Sequence, residues 1–228
     1  MFSKSLKGLL VTAFSALLAN AQDITSNTID RGTISISLGN THIYPDVYYS
    51  IIDVAVASFT GSFNNEGGFY LTSDSSLIAL TASIVGTSIT NSGDWAFNSI
   101  QSLTTPDFYL TATISFSNTG TMWFGGDGLG VPIMSVLGLS WENDGLMVFS
   151  LTTRSTGEVL LGAALGVGTQ TITNEGTICL INQVYEQSTK IEGSGCIDIG
   201  EDSTVFLYPS TSLTFISSSH CRIAYSNL

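Results

Sequence analysis

The sequence predicts an all-β chain wound into a parallel β-helix, a solenoid of about 26 residues per coil. Three observations lead there. A short unit, apolar-x-Asn-x-Gly-x-apolar-x-apolar, returns along most of the chain. Within it apolar side chains alternate with variable ones, which is the period of a strand and not of a helix. Equivalent positions also keep like residue types from copy to copy, as stacked copies must. An antiparallel sandwich would show turn signals at short intervals too, but it needs no column chemistry at one fixed period.

In chain order, residues 1–21 read as a secretory leader. Lys4 and Lys7 precede an apolar run over 9–18, and Ala19-Asn20-Ala21 supplies a small-x-small cleavage pattern. Cleavage is expected after Ala21, leaving a β-helix domain over 22–228. The apolar run is too short and wrongly flanked for a membrane span. "TIDRGTISI" at 28–36 is an early form of the unit, with Asp30 at the Asn position. The stretch 37–62 lengthens the first step. Tyr44-Pro45-Asp46 reads as a turn there, and 51–59 as one strand.

Full copies follow: "FNNEGGFYL" (63–71), "ITNSGDWAF" (89–97), "FSNTGTMWF" (116–124), "WENDGLMVF" (141–149) and "ITNEGTICL" (172–180). "IEGSGCIDI" (191–199) carries Gly193 in place of the Asn, and "SSSHCRIAY" (217–225) reads as a degraded last copy. From Asn65 through Asn91, Asn118, Asn143 and Asn174 to Gly193 the steps are 26, 27, 25, 31 and 19 residues. Such a coil suits three short strands and three bends. Asn and Gly mark a bend because both tolerate positive φ.

Stacking at about 4.8 Å per layer then predicts columns. Phe63, Ile89, Phe116, Trp141 and Ile172 form one inside. Phe69, Trp95, Met122, Met147 and Ile178 form a second, and Leu71, Phe97, Phe124, Phe149 and Leu180 a third. Asn65, Asn91, Asn118, Asn143 and Asn174 are expected to make a structural amide ladder along one corner. The residue between the two last apolar positions faces outward and reads Ser35, Tyr70, Ala96, Trp123, Val148, Cys179, Asp198. Tyr70, Trp123 and Val148 are therefore a candidate surface contact for a neutral sugar or an apolar partner. The insert "GGDGLGVPIMSVLGLS" (125–140) is expected to fold over Trp123 and bury it.

Without the two leader lysines, four basic residues face 18 acidic ones, so the mature charge is 4 − 18 = −14. That field opposes binding to nucleic acid, to anionic headgroups and to anionic polysaccharide, and membrane insertion is not expected. Only 11% of residues are charged, which argues against disorder. No Asn-x-Ser/Thr sequon occurs; O-linked mannose on Ser and Thr stays open. The disulfide candidates are Cys179, Cys196 and Cys221. On the lattice Cys179 and Cys196 are two residues out of register. Cys196 and Cys221 are one residue out, facing opposite sides, so neither pairing is assured.

Signals for catalysis are poor. His42 and His220 lack metal-like neighbours, so no metal and no cofactor is expected. "GGDGLG" (125–130) departs from the calcium-binding glycine turn, since Gly130 stands where an Asp is needed. Glycan-cleaving β-helices are the enzymatic alternative, with a lectin beside them. Their paired carboxylates would have to come from Glu142 with Asp144, or from Asp198 with Glu201 and Asp202. Glu142 and Asp144 flank a bend, where solvated acids are ordinary.

"GGFYLTSD", "ITNSGDWAFNS", "GTICLINQVYEQ" and "GSGCIDIGEDST" resemble the N-terminal domain of the hyphally regulated cell wall protein family, adhesin-like mannoproteins of Candida-type yeasts. The resemblance implies a right-handed β-helix displayed at the fungal cell wall. It implies adhesion to host cells, other cells or abiotic surfaces, with no enzymatic activity. Family members carry a Ser/Thr-rich stalk and a GPI-anchor signal, which this chain lacks. It stops at "IAYSNL", so it is read as an incomplete member, with free secretion as the alternative to wall anchorage.

Overall fold

The computed structural model describes residues 16–152, 156–162, 171–200, 202–206 and 214–216. Its strand pairs are all parallel. A nine-stranded sheet runs Thr28–Arg31, Tyr48–Ile52, Gly68–Thr72, Asp94–Ser99, Thr121–Gly126, Leu146–Leu151, Thr177–Ile181, Cys196–Ile199, Thr214–Ile216. Between each two of these the chain crosses to a twelve-stranded sheet and adds a layer there. That is a parallel β-solenoid, and the antiparallel sandwich is excluded.

Each coil has three straight runs, but the first two commonly share one strand. Thr81–Asn91 and Asp107–Asn118 are such strands, bent without a break. The register between them slips after Ala112, and Ile114 at the bulge turns out to solvent. Where the long strand breaks, Val56–Thr60 and Phe63–Asn65 stack separately on its two halves.

The expected columns are present. Phe63, Ile89, Phe116, Trp141 and Ile172 are register partners in turn. So are Phe69, Trp95, Met122, Met147 and Ile178, and likewise Leu71, Phe97, Phe124, Phe149 and Leu180. All fifteen are buried, and each contributes roughly 1.5–3 kcal/mol by leaving water. The rings of Phe97 and Phe124 stand 5.6 Å apart, those of Phe124 and Phe149 5.0 Å. The first run adds interior columns of its own, such as Ala57, Ala82, Phe108, Met134, Val159 and Tyr185.

The asparagines hydrogen-bond in one direction along the stack. Asn65 Nδ2 donates to Asn91 Oδ1, Asn91 to Asn118, Asn118 to Asn143 and Asn143 to Asn174, each at 2.7 Å. The ladder starts at Asn65 because Ile43 lies beneath it, and it stops at Asn174 because Gly193 lies above. The glycine two residues on serves a different purpose from the one its backbone freedom suggests. Gly93, Gly120, Gly145 and Gly176 do not have positive φ. A Cβ at any of them would strike the carbonyl oxygen of the glycine one layer back, so the constraint is close approach of stacked bends.

Two expectations fail in the first coils. The unit at 28–36 is out of register: Thr28 pairs with Tyr49 and so stacks under Phe69, while Ser35 pairs with Ala57 in the other sheet. A coil without the Asn signature had been hidden in 37–62. Its run 51–59 is two strands, Tyr48–Ile52 and Val56–Thr60, because Asp53 adopts φ 63° and turns the chain between sheets. Pro45-Asp46 does turn, with Asp46 at φ 62°. At the other end Thr214–Ile216 stacks on Cys196–Ile199, so the strand precedes the unit expected at 217–225, which lies outside the described residues.

Removing an amide from mid-ladder leaves a buried acceptor and a buried donor short of their partners. Asn118→Ala is expected to destabilise the fold by about 2–4 kcal/mol in urea unfolding. Asn65→Ala should cost about half as much, because Asn65 Oδ1 already lacks a partner.

Candidate functional site

The bends that lead out of the nine-stranded sheet carry no Asn-x-Gly. In three successive coils they read "SDSSLIAL" (73–80), "SIQSLTTP" (99–106) and "GGDGLGVP" (125–132), so Leu77, Leu103 and Leu129 recur 26 residues apart. Short polar acceptors shape each bend. Ser75 Oγ accepts from the backbone N–H groups of Leu77 and Ile78, at 3.2 and 3.1 Å. Ser102 Oγ accepts from Thr104 N–H, and Asp127 Oδ1 from Gly128 N–H. The bends are stitched to one another as layers: Leu103 N–H donates to the Ser76 carbonyl and Leu129 N–H to the Leu103 carbonyl.

The leucines held this way face water. Leu77 is 72% exposed, Leu129 79% and Leu103 43%, and Ile78, Ile100 and Val131 beside them are exposed as well. Single exposed apolar residues are ordinary; six at one corner over three layers form a ridge. Its signal was legible, as a leucine at the coil period, but it lies outside the Asn-x-Gly unit on which the repeat was aligned.

The outward column behaves differently. Tyr70, Ala96, Trp123, Val148, Cys179 and Asp198 are register partners in order, with Ser50 and not Ser35 preceding Tyr70. Trp123 is 9% exposed and Val148 1%, so they offer no open aromatic platform. They form a second apolar cluster with Ala96 and Cys179, packed by Tyr70, Leu146 and Ile181. The expected flap does not do this. Gly125 and Gly126 finish one strand and Ile133–Asn143 is the next. Trp123 instead lies along the sheet over Gly125, where a Cβ would collide with the indole; Tyr70 lies over Gly68 in the same way.

A polar cluster sits at the Asn-x-Gly corner of the early coils. His42 Nε2 and Glu66 Oε1 are 3.1 Å apart, and Asn64 Nδ2 donates to the same oxygen at 2.8 Å. Thr90 Oγ1 donates to Asn64 Oδ1, and Tyr44 stacks on His42 at 4.0 Å. The Asn64 hydrogen bond first, then His42, hold the Glu66 carboxyl below its ordinary range. Deeper in, Tyr49 OH donates to Asp30 Oδ2 at 2.8 Å. Burial first, then Asp30, push that phenol up out of its usual range.

The remaining sequence candidates do not converge. Glu142 and Asp144 are exposed on either side of the buried Asn143. Asp198 is buried in the outward column, Asp202 is exposed on a turn, and Glu201 lies outside the described residues. Among the described residues no group of three His, Cys, Asp or Glu could hold a metal ion; His220 lies outside them. Cys179 is disulfide-bonded and Cys196 is free, so neither pairing weighed above forms. The register explains it: Cys179 faces Asp198, and Cys196 faces Thr177, whose hydroxyl lies 3.3 Å from its sulfur. Cys221 lies outside the described residues.

Among the described residues the candidate acids are scattered over a parallel β-solenoid that turns an apolar ridge outward. The chain belongs to the hyphally regulated cell wall protein family, whose N-terminal domain model matches residues 12–225. It is 41% identical over 188 residues to cell wall protein RBR3 of Candida albicans, covering 81% of this chain and 12% of that protein. It is 42% identical over 211 residues to cell wall protein IFF4 of the same organism, covering 90% and 13%. With hyphally regulated cell wall protein 3 it shares 41% over 188 residues, covering 81% and 15%. The chain thus spans only a small part of these relatives. No solved structure matches it significantly.

Glu66, with its folded pKa depressed, adds stability above its unfolded value that is lost as pH falls through the folded value. A carboxyl NMR titration should show Asn64→Ala raising the Glu66 midpoint more than His42→Ala does. Thiol chemistry offers a second check: without reductant, iodoacetamide should label Cys196 in the native protein and leave Cys179 unmodified.

Proposed function

We propose that this domain is a non-enzymatic adhesion module of the fungal cell wall, and that the ridge at Leu77, Leu103 and Leu129 is its contact with apolar patches on cells or abiotic surfaces. The observation that carries the reading is that ridge. Burying a leucine against a partner contributes roughly 1.5–3 kcal/mol, so three on a common edge suffice for useful affinity without a pocket. The stack keeps them in line, so the chain does not have to be ordered upon contact. Membership in a family of cell wall proteins supports the location. Leader, stalk and GPI anchor belong to the same reading, since the relatives extend far beyond the aligned part.

The test is adhesion of domain-coated beads to polystyrene and to epithelial monolayers. Leu77→Ser, Leu103→Ser and Leu129→Ser together should lower retention by about tenfold or more, with the melting temperature unchanged because the side chains are already exposed. Undiminished adhesion would remove the ridge from the account. A glycan-array signal abolished by Glu66→Gln, with the ridge variant still adhering, would favour a lectin.

A further inference from the structure

Inward positions that are apolar one layer on turn polar in the first coils of the solenoid. Ser35 and Ser37 take the inward positions that Ala57 and Phe59 fill one layer on. Thr41 stands where Phe63 does, and Asp30 where Ile51 does. Ser35, Ser37 and Thr41 are 4%, 1% and 2% exposed, yet Ser37 Oγ, Thr41 Oγ1 and the neighbouring Gln22 Oε1 have no hydrogen-bond partner. Oxygens in that state oppose folding, because each gives up its hydrogen bonds to water without gaining another.

What lies over them is Ala16–Ile24, the terminal strand of the twelve-stranded sheet. Ala16–Asn20 pair with Ile34–Leu38, and after a slip in register Gln22–Ile24 pair with Thr41–Ile43. The slip falls at Ala21, against which Gly39 packs its bare Cα at φ 110°. Cleavage after Ala21 removes the first pairing and leaves the second. Thr28–Arg31 stays on Tyr48–Ile52. The first coil of the processed chain then has two runs of its three. Over Ile34–Leu38 it has a vacancy one strand long, edged by unpaired backbone N–H and C=O groups.

We propose that this vacancy is a strand-addition site for an extended peptide of about five residues that alternates apolar with hydroxyl-bearing side chains. The backbone of Ile34–Leu38 supplies a parallel ladder, as it does to Ala16–Asn20. The two inward positions of an incoming strand lie beside Ser35 and Ser37, where Leu17 and Ala19 now pair. A Ser or Thr beside Ser37 would give its stranded oxygen a partner, and one beside Ser35 would offer that hydroxyl a further hydrogen bond; Leu and Ala can do neither. Outward positions lie beside the half-buried Ile34 and Ile36 and the 46% exposed Leu38, where apolar side chains gain contact. A second copy of the solenoid does not fit strand to strand. Its own Gln22–Ile24 and Thr28–Arg31 would need the layer that those segments already occupy on the other two faces.

The secreted chain is first analysed by mass spectrometry and should begin at Gln22; a chain still beginning at Met1 overturns the proposal. Two synthetic probes are then added to it: residues 15–21, SALLANA, and the same peptide with Leu17→Thr and Ala19→Ser. Both should slow amide hydrogen exchange within Ile34–Leu38, and the hydroxyl-bearing probe should bind about tenfold more tightly. In the Ser35→Ala/Ser37→Ala chain that preference should vanish while the melting temperature holds or rises. Absence of protection at Ile34–Leu38, equal affinity for the two probes on the unmutated chain, or protection only through self-association would each overturn it. Adhesion through the leucine ridge is read separately, by the bead assay, and stands or falls without this site.

Discussion

One constraint governs the structure: every coil must lie a single β-spacing above the last, on all three faces at once. Backbone hydrogen bonds impose the spacing along straight runs, where almost any strand-forming sequence can comply. They cannot impose it at a bend, where chain direction changes and Cβ atoms of consecutive layers would meet. The stacked glycines at 93, 120, 145 and 176 remove those atoms. The asparagine two residues before each glycine then ties one bend to the next through its side-chain amide. The glycine permits the approach and the asparagine rewards it, which is why the two recur together.

That division explains what could be read without coordinates. Interior columns from Phe63 onward were legible because size and polarity repeat in fixed phase with Asn and Gly. The first coils were not, because Ile24 and Ile43 occupy the ladder position there and leave no polar mark in an apolar run. Alignment then fell on Asp30, an inward residue that answers Tyr49 and not a bend. The leucine ridge was in plain sight at the same 26-residue period, but a repeat defined by what goes inside is blind to what stays out. Burial of Trp123 was expected for the wrong reason. An outward residue on a pleated sheet can be covered by lying along a glycine of its own strand, and that possibility is visible only as Trp-x-Gly.

Chemistry follows the same geography. On straight runs each outward side chain is flanked by those one layer away, so a column of Tyr70, Ala96, Trp123, Val148 and Cys179 collapses on itself and ceases to be an open surface. At the bends out of the nine-stranded sheet the layers stay tied by backbone hydrogen bonds from Leu103 and Leu129, but the leucine side chains stand out into water. Leu77, Leu103 and Leu129 remain exposed there because the loop polar groups turn back to hold the backbone. The contact proposed for this edge needs no cavity to solvate and no acid pair to tune. The scattered disposition of Glu142, Asp144 and Asp198 agrees with that economy.

A stack of like coils also has to end, and its ends cannot resemble its middle. An apolar interior laid open at a first coil would expose rings the size of Phe59 and Phe63; here the inward positions turn polar one layer earlier, at Ser35, Ser37 and Thr41. Polar side chains suit a face that meets water and burden one that does not. The burial of Ser35 and Ser37 beneath Ala16–Asn20 is a property of the chain that still carries this strand, whereas Thr41 lies under Gln22. On the strand-addition proposal, loss of Ala16–Asn20 would leave Ser35 and Ser37 bordering an open ladder, so the residue pattern that ends the solenoid would also prepare it to accept one more strand.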